Sequence, residues 1–101
     1  MNKTLADITN GINPTKLEVL ILNYLNKELS GNFGETYSHI EAQDIADHLK
    51  LPVNTIKGGV GSLVKKDLLE TWETEPCNFE TETSHVINFC DQENMVASEG
   101  I

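Results

Sequence analysis

Residues 39–69, HIEAQDIADHLKLPVNTIKGGVGSLVKKDLL, constrain the fold more than any other part of the chain. Ala42, Ile45, Ala46 and Leu49 recur at helical spacing, so residues 41–49 form a short helix with one apolar face, and Leu51-Pro52 ends it. Residues 54–66 begin a second helix, with Ile56, Val60, Leu63 and Val64 expected to be buried. Lys65 and Lys66 suit its carboxyl end through the helix dipole, and Asp67 occupies the position where a left-handed residue is expected. Strand-type residues flank the pair: a short edge strand at residues 38–40 and a longer strand at residues 68–74.

The remaining elements pack around this unit. Asn13-Pro14 is expected to cap and open a helix carrying Leu17, Leu20, Ile21, Tyr24, Leu25 and Leu29, which Ser30-Gly31 stops. Residues 30–37 form a glycine-rich loop that Phe33 and Tyr37 pin to the core. His85, Ile87 and Phe89 alternate with Val86, Asn88 and Cys90 in a last strand, and residues 75–84 form the hairpin loop before it. Residues 1–12 are an arm, residues 13–91 the folded domain, and residues 92–101 a patternless tail expected to be disordered. The expected fold class is α+β, mostly α, with a short three-stranded antiparallel sheet.

A chain of 101 residues with 39% apolar residues supports one hydrophobic core. No apolar run approaches the roughly 20 residues of a membrane span, and the amino terminus lacks an apolar signal block, so a cytoplasmic location and no membrane partner are expected. In that setting Cys77 and Cys90 are free, semi-buried thiols.

Charge is divided unevenly along the sequence. All seven lysines precede Asp67 and are balanced there by seven acids, while residues 67–101 hold nine acids and no base, giving the net −9. Arginine is absent.

The pattern in residues 39–69 resembles the winged helix-turn-helix family, including regulators of the MarR type. The likeness spans roughly residues 14–91. It is carried by Ala46 at the helix crossing, by Leu51 leading to Asn54-Thr55-Ile56, and by Leu63-Val64-Lys65-Lys66-Asp67-Leu68-Leu69-Glu70. The segment VNTIKGGVGSLVKKDLLE is also similar to winged-helix domains of phage transcription activators. The resemblance implies a DNA-binding transcriptional regulator whose second helix enters the major groove of double-stranded DNA. That helix would present Asn54, Thr55, Lys57, Gly58, Gly61, Ser62, Lys65 and Lys66. Asn54 suits an adenine edge, and the lysines suit phosphate or guanine.

Three features depart from the family pattern. Lys50 stands where glycine is common in the turn, which Leu51-Pro52 is then expected to hold. Gly58, Gly59 and Gly61 fall inside a helix, where each weakens it by roughly 0.5–1 kcal/mol relative to alanine; close approach of a partner and crowding against the first helix both account for them. The expected wing carries Glu73, Glu75, Phe79, Glu80 and Glu82 and no base, and such a tip is repelled by phosphate. A second reading follows from the last point: an acidic interaction module whose wing meets a basic protein surface or mimics nucleic acid. A regulator would act as a homodimer spanning two half-sites, yet the long dimerisation helices of MarR-type proteins are absent.

Other chemistry is poorly supported. Residues 58–62, GGVGS, lack the spacing and the lysine of a phosphate-binding loop. Cys77, His85 and Cys90, with His39 or His48, lack zinc-knuckle spacing and are expected to be packed or surface side chains. No nucleophile and base pair at readable spacing, so neither an enzyme nor a cofactor is expected. Trp72 and Phe89 are assigned to the core rather than to a platform for stacking bases.

Overall fold

The computed structural model describes residues 3–35, 38–74 and 84–101, without the side chains of residues 32, 73, 74 and 84. The fold is α+β: helices α1 (Leu5–Ile8), α2 (Lys16–Glu28), α3 (Ala42–Leu49) and α4 (Val53–Lys65), then strands β1 (Leu69–Thr74) and β2 (Ser84–Phe89). No helix among the described residues is long and apolar enough to cross a membrane.

Helix α2 starts at Lys16 rather than at Pro14, because Thr15 and Glu18 cap it reciprocally. The Glu18 N–H donates to Thr15 Oγ1 at 3.2 Å, and the Thr15 N–H donates to Glu18 Oε1 at 2.8 Å. This T-x-x-E box satisfies two of the helix's orphan donors, which Asn13 does not. The buried face of α2 carries Ile21, Leu22 and Leu25, with Leu29 just beyond it. Leu20, expected in the core, is 47% exposed, and Leu22 takes that place.

Two left-handed residues make the chain reversals that place α4. Lys50 has φ of 57° and closes α3, with the Leu51 N–H donating to the Ala46 carbonyl at 3.1 Å. The turn is therefore made by Lys50 itself, a residue less suited than glycine to that conformation, and Leu51-Pro52 follows it. Asp67 has φ of 59° and ends α4 as expected, with the Leu68 N–H reaching the Leu63 carbonyl at 3.1 Å.

β1 and β2 form one antiparallel pair in the register Leu69 to Phe89 and Thr71 to Ile87. The third strand expected at residues 38–40 is reduced to a single bridge between Glu41 and Val86, held by the Ile87 N–H to the Ile40 carbonyl at 2.8 Å. Helix α3 begins at Ala42, so the chain turns away from the sheet after one pairing. Strand alternation seats Ile87 and Phe89 in the core, and Phe33 meets the Phe89 ring edge-on at 6.0 Å between centroids. Trp72 lies an odd number of residues from Leu69, so it falls on the opposite face and is 44% exposed. The core assignment therefore holds for Phe89 and not for Trp72.

The segments flanking the domain pack together. Lys3 bridges Met95 in parallel, with the Lys3 N–H to the Asn94 carbonyl at 2.7 Å and the Val96 N–H to the Lys3 carbonyl at 2.8 Å. Leu5 and Met95 enter the core, and the Asn26 side-chain amide donates to the Ser98 carbonyl at 2.9 Å. A single methionine seated in the core gives no periodicity, which is why residues 92–101 show no pattern in sequence.

Candidate nucleic-acid interface on α4

Between Asp47 and Asp67 the chain contains no acid and four lysines, a basic run in a protein of net charge −9. Helix α4 occupies most of that run. Its core side is Ile56, Val60 and Leu63, together with Gly59. Asn54, Thr55, Lys57, Gly58, Gly61 and Lys65 are exposed on the other side, so the structure gathers six of the eight expected residues on one open face. Val64, expected to be buried, borders that face at 36% exposure, because the core stripe turns past it toward α2.

Lys66 and Ser62 are placed differently. Lys66 Nζ lies 2.6 Å from Glu18 Oε1, and the Glu18 side chain is only 2% exposed against 33% for Lys66. Burial pushes the Glu18 carboxyl up. The Lys66 ammonium, the Thr15 N–H and the Ser62 and Thr15 hydroxyls outweigh it and hold the group down at about 2 against an ordinary 4.5. Glu18 Oε2 has no hydrogen-bond partner, and the Ser62 hydroxyl is among the groups that lower the carboxyl. The ion pair ties the start of α2 to the end of α4 and assigns Lys66 to holding the helix in place. It joins residues 48 apart, and nothing in the sequence around either marks the pairing.

The three helix glycines also divide. A Cβ on Gly59 would stand 2.6 Å from Ile21 Cδ1 and 3.2 Å from Leu17 Cδ2, so Gly59 is the contact point of α4 on α2. A Cβ on Gly58 or on Gly61 would meet nothing within 4 Å. Crowding thus explains Gly59 alone, and it comes from α2 rather than from α3, the first helix of the motif. Gly58→Ala and Gly61→Ala are each expected to stabilise the fold by about 0.5–1 kcal/mol, since alanine restricts the unfolded chain and favours the helix. Urea denaturation checks this: unchanged or lowered midpoints would mean that these positions are constrained within the monomer.

The acidic candidates Glu75, Phe79, Glu80 and Glu82, with Cys77, lie outside the described residues, and Glu73 is described only as a backbone position of β1. Cys90 is exposed rather than semi-buried, and partial desolvation together with Glu70, Asp67 and Asp91 raises its thiol above the ordinary value. No cluster of three metal-ligating side chains occurs among the described residues. His48 packs on Tyr24 with ring centroids 4.6 Å apart, which joins α3 to α2. No family model, no curated protein and no solved structure matches the chain.

Proposed function

We propose that the protein is a small DNA-binding regulator of the winged helix-turn-helix type, with α4 as the reading helix and the β1–β2 hairpin as the wing. The observation that carries this reading is the exposed, acid-free face of α4, with Asn54 in its first turn, Lys57 in its second and Lys65 at its carboxyl end. The lysines meet phosphate and supply salt-dependent affinity, while Asn54 and Thr55 are placed to meet base edges. With neither arginine nor Lys66 available, sequence discrimination rests on few contacts and affinity is modest.

A titration of mixed-sequence duplex at low salt tests the reading. Binding at micromolar protein is expected, and Lys57→Ala combined with Lys65→Ala should weaken it roughly tenfold or more, measured by fluorescence anisotropy. No binding at micromolar protein would overturn it. The nine acids and absent bases from Asp67 onward would then favour the second reading, an acidic module for a basic protein surface. On that reading, neutralising Glu73, Glu75, Glu80 and Glu82 should abolish binding to a basic protein.

A further inference from the structure

The side of α4 that faces the hairpin bounds a groove of about 480 Å³. Val60 and Ile87, both nearly inaccessible, form its floor, Val64 its wall, and Lys57 and Lys65 stand at its rim. Gly61 lies between the two lysines on the same helical stripe, one turn from each, and without a side chain it leaves the middle of the groove open. At a rise of about 1.5 Å per residue the two lysine backbones are about 12 Å apart along the axis, and their flexible stems allow both ammonium groups to reach one anion above Gly61.

This volume lies within the range of small-molecule sites, and the lining combines an apolar floor with two lysines, Thr71 and His85 from the hairpin, and no acid among the described side chains. A nucleic-acid backbone gains nothing from Val60 and Ile87. A hydrocarbon carrying one negative group satisfies both parts of the lining.

We propose that the groove between α4 and the hairpin binds an amphipathic carboxylate, its hydrocarbon body on Val60, Val64 and Ile87 and its carboxylate between Lys57 and Lys65. Since those lysines also serve the DNA reading above, the occupied groove would release DNA; that consequence rests on the DNA reading, whereas the binding itself does not.

The test is an amide-resolved NMR titration of the full chain with octanoate, run in parallel with octanol and without DNA. Saturable shifts centred on Gly61, Val64, Thr71 and Ile87 are expected, with octanol at least tenfold weaker. Affinity should rise roughly fourfold for each methylene added to the acid. Gly61→Leu should abolish binding by filling the groove, and the same spectra report whether the variant is folded. Lys57→Gln with Lys65→Gln, which leaves the core untouched, should bring octanoate down to the affinity of octanol. Absence of saturable shifts at millimolar octanoate, equal binding of the alcohol, or undiminished binding to a folded Gly61→Leu variant would each overturn the proposal. Binding of octanoate by a protein that does not bind DNA would uphold it and overturn only the DNA reading.

Discussion

Lys66→Met is expected to destabilise the protein by about 3 kcal/mol, because it leaves the Glu18 carboxylate buried at 2% exposure with its cation removed. Adding Glu18→Leu should recover part of that loss, since two apolar side chains can fill the same space without a desolvated charge, while the Thr15 N–H loses its acceptor in the capping box. Urea unfolding of both single variants and the double variant measures the coupling. Additive losses would show that the 2.6 Å contact contributes nothing to stability.

The same pair sets an acid limit. Glu18 is held at about 2 in the folded chain against 4.5 ordinarily, so the unfolded chain binds its proton first as pH falls. The stabilisation is complete above about pH 4.5 and is lost between there and about pH 2. At about 1.4 kcal/mol per pH unit, the interval of about 2.5 units represents at most about 3.5 kcal/mol, shared among Lys66, Thr15 and Ser62. The Lys66→Met protein should show a flatter dependence of stability on pH across that window. An unaltered slope would place the acid transition on other carboxylates.

Gly59→Val should destabilise by about 2–3 kcal/mol, in the opposite direction to alanine at Gly58 and Gly61. The added Cβ alone would sit 2.6 Å from Ile21 Cδ1, and Ile21 is fully buried, so Ile21 must repack within the core or α4 must move away from α2. Overpacking of a close-packed contact typically costs about 1–3 kcal/mol, and here it exceeds the modest gain from replacing a helix glycine. Chemical denaturation is the readout. A Gly59→Val midpoint above that of the native chain would mean that the helices pack less closely than described.

The local periodicities in residues 39–69 located both helices to within about a residue, and Asp67 marked its left-handed turn in advance. Those signals lie within one or two helical turns of the residues they specify. From sequence the start of α2 falls at Asn13-Pro14 and the Thr15-x-x-Glu18 box is overlooked, whereas its reciprocal bonds fix the start at Lys16. Exposure of Trp72 follows from period-two alternation once Leu69 is fixed inward, so its apolar character alone misled. The division of labour among the lysines was not legible, because Lys66 is defined by a carboxylate 48 residues earlier in the chain. Three identical glycines likewise read alike until the position of α2 separates Gly59 from the other two.

The central claim is that Lys57 and Lys65 face DNA while Lys66 holds α4 to α2. The most direct test is the dependence of duplex affinity on salt, measured by anisotropy for Lys57→Ala, Lys65→Ala and Lys66→Met at a temperature where circular dichroism shows each to be folded. Losing one phosphate contact lowers the slope of log affinity against log salt by about 0.9. The account predicts that decrease for Lys57→Ala and for Lys65→Ala, with an unchanged slope for Lys66→Met. A decrease for Lys66→Met, with native slopes for the other two, would contradict it.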